Sequence, residues 1–271
     1  MIYRDVRPRV ELAPFVRCIW LMRGAASAAA RAPQRIVPDG CIELIFNLGE
    51  PFRRVNESGG ADVQPNAMVV GATTRHLHVW PAAEIDLVGI RLRPGALPLF
   101  SRVRAHEFSD ATLEAPFVLE GAATLHDRLC QTVATPARVA LVEQHLTRVA
   151  ARRPSAPRTA ALAAQIVHGA GVVSCSGVAR SAGLSHRQLD RLFAAEVGIA
   201  PRVLGRLARF QRALWHLEPG RFPGWAAVAA RAGYFDQAHL IRDFVEFSGV
   251  TPAAYAREQH PMSDAFSGVA S

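Results

Sequence analysis

The stretch GLSHRQLDRLF, residues 183–193, sets a glycine and a capping residue ahead of a short helical run. Ser185 with Gln188 three residues later is a capping-box pattern, which satisfies backbone donors that a helix leaves open at its start. Leu189 and Phe193 then share the buried face, while His186, Arg187, Asp190 and Arg191 face outward. The helix is anchored on one side and offers arginines on the other.

The pattern recurs. GVARSAGLSHRQLDRLFAAEVGIAP (177–201) is echoed by AAVAARAGYFDQAHLIRDFVEFSGVTP (226–252). Val178 and Gly183 match Val228 and Gly233 at a separation of 50. Leu189, Arg191, Phe193, Gly198 and Pro201 match Leu240, Arg242, Phe244, Gly249 and Pro252 at 51, so one residue is inserted at the start of the second helix. Each unit is a small-residue helix, a glycine turn and a second helix, which is helix-turn-helix grammar. Ala179, Ala182, Ala229 and Ala232 let the first helix of each unit cross the second closely, and Asp236 offers N-cap chemistry like that of Ser185. The exposed faces carry Arg187 and Arg191, then Gln237, His239 and Arg242. Arginine can fork onto guanine and glutamine onto adenine in a major groove. One such face reads equally well as solvated surface; two capped copies in tandem favour DNA.

Between the units, PRVLGRLARFQRALWHLEPG (201–220) reads as one amphipathic helix. Leu204, Leu207, Leu214 and Leu217 form its inner side, and Arg202, Arg206, Arg209 and Arg212 its expected exposed side. As a semi-rigid spacer it would set the recognition helices in successive major grooves, about 34 Å apart. Its arginines would bind phosphate and set register.

These units and their connecting helix resemble the AraC/XylS family of bacterial transcription regulators over about residues 160–258. AGYFDQAHLIRDFVEFSGVTPAAY (232–255) is similar to the family's most diagnostic stretch. The resemblance implies sequence-specific promoter binding through both units. Arg187, Asp190 and Arg191 match the base-facing positions of the first recognition helix, and Gln237, Ala238 and His239 those of the second. The backbone-facing set is His186, Arg202, Arg206, Arg209 and Arg242. Ala238 departs from the polar residue often found there, which implies weaker base readout by the second unit.

The first hundred residues read as β-rich. CIELIFNLG (41–49) alternates, with Ile42, Leu44, Phe46 and Leu48 on one face and Cys41, Glu43, Ile45 and Asn47 on the other. AMVVG (67–71), HLHVW (76–80) and IDLVGIRLR (85–93) are further strands, and their spacing suggests a compact barrel or sandwich. PDGCIELIFNLG and VVGATTRHLHVW…VGIRLRPG more loosely resemble an uncharacterised β-rich sensing domain found ahead of this DNA-binding module, which implies a cupin-like barrel and an effector. The expected fold is thus α+β: a β-barrel or cupin-like domain with flanking helices, then an all-α double helix-turn-helix domain. The expected boundaries are 1–112 for the sensor, 113–151 for a helical interface or dimerisation segment, 152–158 for a linker, 159–260 for the DNA-binding domain and 261–271 for a loose tail. Helices are expected near 114–133, using Leu125, Leu129 and Val133, and over 136–151, using Val139, Val142, Leu146 and Val149. Their stripes suit docking on the barrel and pairing between subunits equally.

Arg91 and Arg93 share a strand face, as do Glu43 and Asn47. An arginine fork there could hold a carboxylate or phosphate effector; an internal Arg–Glu pair or a solvated face is the favoured alternative. His76 and His78 share a strand face with Glu84 nearby, but their spacings depart from the cupin metal motif, so no metal or cofactor is expected. A metal-dependent cupin enzyme tethered to DNA and a nonspecific architectural protein are the rivals to a regulator, and no catalytic residue stands out.

The chain has 271 residues and a net charge of +8, and its 31 basic residues are all arginine, which favours polyanionic partners. Cys18, Cys41, Cys130 and Cys175 are scattered without metal or disulfide spacing, so free thiols in a reducing cytoplasm are expected. No run approaches the ~18 apolar residues of a membrane span. Promoter DNA, a small-molecule effector, a second copy of the chain and, for an activator, RNA polymerase are the expected partners.

Overall fold

The computed structural model describes residues 1–26, 32–56, 58–153, 156–170, 173–217 and 222–258. Ten strands come first: β1 (Ile2–Val6), β2 (Val16–Ala25), β3 (Gln34–Ile36), β4 (Ile42–Asn47), β5 (Arg53–Val55), β6 (Ala61–Val63), β7 (Ala67–Val70), β8 (Leu77–Trp80), β9 (Glu84–Leu92) and β10 (Thr112–Glu114). They form a six-stranded sheet in the order β1-β2-β9-β4-β7-β10 and a four-stranded sheet in the order β3-β8-β5-β6, antiparallel at every recorded pairing.

The alternation in β4 shows how the layers arise. Ile42, Leu44 and Phe46 pack on one face with Ile19, Val88 and Ile90 and with the helices that follow. Ile45 points the other way, joining Trp20, Met68, Val79 and Leu87 between the two sheets. A cavity of about 90 Å³ remains there, bordered by Cys41, Glu43, Ile45 and Asn47. The expected barrel is corrected in one respect: among the described residues the sheets stay separate, stacked face to face. The larger sheet is covered on its other face by helices, so it is buried without closing on itself.

Three helices cover that face: α1 (Ala115–Val118), α2 (Ala122–Cys130) and α3 (Thr135–Ala150). The single helix expected near 114–133 breaks at Gly121, whose φ of +74° is left-handed. Val133 lies beyond α2 and is exposed, whereas Leu125 and Leu129 are buried. Val139, Val142, Leu146 and Val149 of α3 are buried within the chain's own core, so the expected stripe is used for docking.

Among the described residues seven α-helices follow: α4 (Arg158–His168), α5 (Cys175–Ser181), α6 (His186–Glu196), α7 (Pro201–Trp215), α8 (Trp225–Ala232), α9 (Gln237–Ser248) and α10 (Pro252–Tyr255). The main core runs on into them without a break, reaching Leu189, Phe193, Leu207, Phe210, Leu240 and Phe244. Gly40 lies so close to α7 that a Cβ there would sit 2.7 Å from the Leu204 side chain. Gln211 Nε2 of α7 donates to Pro38 O at 2.7 Å, and Ser109 Oγ donates to Gly198 O at 2.6 Å. Part of the expected linker (154–155), the end of the 201–220 stretch (218–220) and the expected tail (261–271) lie outside the described residues.

Candidate nucleic-acid interface

Each repeat folds as its local chemistry dictates. In the first, Gln188 N donates to Ser185 Oγ at 3.2 Å and Ser185 N to Gln188 Oε1 at 2.8 Å, completing the capping box of α6. In the second, His239 N donates to Asp236 Oδ1 at 2.6 Å, capping α9. Gly183 and Gly233 have φ of +67° and +88°, left-handed values that close the turns at little steric cost. Leu189, Phe193, Leu240 and Phe244 are buried, while His186, Arg187, Asp190, Arg191, Gln237, Ala238 and Arg242 are exposed and His239 is half-buried. A concavity of about 760 Å³ between the units brings together Arg202, His239 and Arg242.

Three arginines of α7 require correction. Arg206 turns into the chain: its Nη2 donates to Asp243 Oδ1 at 2.8 Å, its Nη1 to Glu246 Oε1 at 2.9 Å, and its guanidinium stacks 4.9 Å from the Phe247 ring centre. These hydrogen bonds hold Arg206 firmly protonated and pull the Glu246 carboxyl below its usual range. Arg209 lies 5.4 Å from the Tyr234 ring centre with Nη2 3.7 Å from Asp243 Oδ2. Arg212 donates to the carbonyls of Val167, His168 and Ala170, which the end of α4 leaves open. The acidic pair Asp243 and Glu246 on α9 draws the first two inward, so the arginines expected along an exposed face hold α7 to its neighbours. Arg202 alone of the four is exposed.

Among the polar residues of the sheets, the favoured internal Arg–Glu pair is present. Arg91 is buried, its Nε bonded to Glu43 Oε1 and 3.4 Å from Asp39 Oδ2, and Trp20 Nε1 donates to Glu43 Oε2 at 2.9 Å. Burial raises the Glu43 pKa, against the opposing pull of Arg91. Asn47 Nδ2 donates to Glu50 O at 2.7 Å and Oδ1 accepts from Gly49 N at 3.1 Å, closing a turn. Glu43 and Asn47 are thus held by internal bonds and Arg91 through its Nε, while its Nη1 and Nη2 are buried without a hydrogen-bond partner; Arg93 is the exposed member of the expected effector set. Arg93 Nε donates to Ala13 O at 3.0 Å, and its side chain borders a cleft of about 360 Å³ between the sheets and the C-terminal helices. Sequence reasoning missed this cleft. Its lining also includes Arg17, His168, Arg212 and Asp39; Arg17 and His168 come from segments 76 and 75 residues away from Arg93, and no local pattern joins them.

His76 and His78 do meet, with ring centres 5.2 Å apart, but among the described residues no three metal-ligating side chains cluster. The four cysteines are free, and burial pushes the Cys18 thiol up to about 12.

Residues 178–258 match a family model described as a helix-turn-helix domain, and residues 4–114 match one described as a domain of unknown function. No curated protein matches the chain in sequence. Among solved structures, unsaturated fatty acid bound wild-type ToxT from Vibrio cholerae strain SCE256 is similar in fold with a TM-score of 0.50 at 7% identity, covering 87% of this chain and 94% of that one. A 1.65 Å structure of ToxT from Vibrio cholerae has a TM-score of 0.49 at 8% identity, covering 94% and 98%.

Proposed function

We propose that the chain is a DNA-binding transcription regulator of the AraC/XylS type, whose helix-turn-helix match supports the reading, and that it reads a two-block promoter site under control of an amphipathic carboxylate effector. The observation that carries the DNA reading is the pair of capped recognition helices, α6 and α9, each buried on one face and exposed at its readout positions. Arg187, Asp190 and Arg191 read one block, and Gln237, Ala238 and His239 the other. His186, Arg202 and Arg242 contact phosphate. The test is sequence selection from a random duplex library by the full-length protein at physiological salt. The expected product is an asymmetric motif with two blocks about one helical turn apart; binding without enrichment would indicate an architectural protein instead.

The effector reading rests on the cleft between the sheets and the C-terminal helices. Its volume lies in the ~300–1,000 Å³ range of small-molecule sites. Arg17 and Arg93 supply cationic groups beside Pro14, Ala164 and Val167, with Arg212 and Asp39 also on the lining. The similar ToxT structure holds an unsaturated fatty acid, a ligand of the same chemical kind. Because one wall belongs to α4 and α7, an occupant bound there would bias how the helix-turn-helix units are presented, by no more than its differential affinity for the two arrangements. Oleate is the probe. It should raise the melting temperature of the wild-type protein, and Arg17→Ala with Arg93→Ala should abolish that rise; an equal rise in both proteins would mean nonspecific binding.

This reading divides the chain into a sensor (1–112), a helical interface (113–151), a linker (152–158) and a DNA-binding domain (159–260). It adds a homodimer and, for an activator, RNA polymerase as partners, and places the protein in the cytoplasm. Among the described residues no helix is long and apolar enough to cross a membrane.

A further inference from the structure

The two units superpose in their hydrogen bonding up to one position. Leu184 N donates to Ala179 O at 2.9 Å, and Tyr234 N donates to Ala229 O at the same distance. In the first unit the next residue, Ser185, is already the helix cap; in the second, the cap is Asp236, two residues on. The residue inserted between turn and cap is therefore Phe235. Tyr234 beside it turns inward and is buried, whereas Phe235 is 94% exposed.

A fully wetted phenyl ring at the entrance of a recognition helix is unfavourable until it is covered, since an aromatic side chain of this class buries ~150–250 Å². The N-terminal residues of a recognition helix are those that meet base edges. The exposed groups around Phe235 are the capping Asp236 and then Gln237 and Ala238 at the start of α9, with Arg231 on α8 and Arg242 one turn further along. That surface is cationic with two apolar contacts, which suits a polyanion carrying a methyl group. Thymine alone among the DNA bases presents a 5-methyl in the major groove, where alanine and phenylalanine are apolar partners for it.

We propose that Phe235 is a specificity-determining residue, and that with Ala238 it selects thymine in the second block through its 5-methyl group. The inference rests on the DNA reading above. Ala238, which departs from the usual polar residue, becomes half of an apolar reading pair, and the two units divide the work: arginine forks in the first, methyl contacts in the second.

The test uses the full-length protein and duplexes recovered by sequence selection, with thymine replaced by uracil one block at a time to delete only the methyl group. Wild-type protein should bind the second-block uracil duplex about fourfold more weakly, the value for one buried methyl group at ~0.8 kcal/mol. Phe235→Ser should bind thymine and uracil duplexes equally, lose thymine from its selected second block, keep its first-block preference and melt at the wild-type temperature. A wild-type protein indifferent to uracil, or a Phe235→Ser protein with the same thymine preference, would overturn the inference while leaving DNA recognition intact. Failure of the wild-type protein to enrich any sequence would remove the DNA reading and the inference with it.

Discussion

Arg206 of α7 grips Asp243 of α9 through two nitrogens, with Nη2 2.8 Å and Nε 3.1 Å from the same carboxylate oxygen. Asp243 is buried, and the bonds from Arg206 satisfy its Oδ1. Arg206→Ala should therefore act on stability. Removing one partner of a fully buried pair costs ~3–5 kcal/mol; here solvent reaches the Arg206 side chain, which is 23% exposed, so a loss of about 1–3 kcal/mol is expected. Thermal melting checks the loss. The salt dependence of DNA binding should stay at its wild-type slope, since each phosphate contact removed flattens it by about one; a flatter slope would return Arg206 to the phosphate.

Arg187 and Arg191 should behave differently. Both are exposed on α6, and among the described residues neither makes a side-chain hydrogen bond or ion pair that its removal would break. Arg187→Ala or Arg191→Ala should leave the melting temperature in place and cost ~1–3 kcal/mol on the preferred duplex, with relaxed selection at one or two base pairs. Equal losses on preferred and random duplexes would assign these arginines to the DNA backbone.

Gly89 sits beneath the indole of Trp20. A Cβ there would lie 1.9 Å from Trp20 Cε2, and the indole is fixed by its bond to Glu43. Gly89→Ala should force Trp20 out of the inter-sheet core. Overpacking typically costs ~1–3 kcal/mol, and displacement of a hydrogen-bonded indole puts this substitution at the upper end. Urea denaturation checks it: a midpoint within error of wild type would show that the sheets can part at this point.

Three histidines make the fold sensitive to acid. Burial, followed by neighbouring cations, holds His76, His78 and His145 below their ordinary pKa. The charges facing the first two are Arg35 on β3, Arg75 beside β8 and Glu258 after α10, and His145 faces Arg148 and Glu120. A folded-state pKa below the unfolded value means that the unfolded chain takes up protons first, so stability rises with pH across this interval. Nothing is lost above about pH 7.5, and the loss grows as pH falls through the unfolded value of ~6.5. Urea midpoints should fall between pH 8 and 5.5, and His76→Gln with His78→Gln should shallow the fall. An unchanged slope would place its source elsewhere.

How far the sequence revealed these features follows from packing. β4 was legible because one of its faces meets helices and the other a cavity rimmed by Glu43 and Asn47, which keeps a polar–apolar alternation. β2 was not: as a central strand it is buried from Cys18 to Met22, and a strand covered on both faces shows no period of two. β3, β5 and β6 have three residues each, too few to show any period. The recognition helices were legible because caps, turn glycines and buried faces are all local. The arginines of α7 were misread because helical periodicity gives the direction of a side chain but not what meets it there; Asp243 lies 37 residues from Arg206.

The connecting helix is tied down at both ends, by Arg212 to the last carbonyls of α4 and by Arg206 to the acidic pair on α9. On the proposed two-block reading, a protein braced in this way measures length as well as sequence. One extra base pair between the two blocks rotates the second by about a tenth of a turn, and the strain falls on the double helix, which must untwist to restore the match. The gap between blocks is then part of the genetic address, and a promoter can be silenced without altering any base the protein touches.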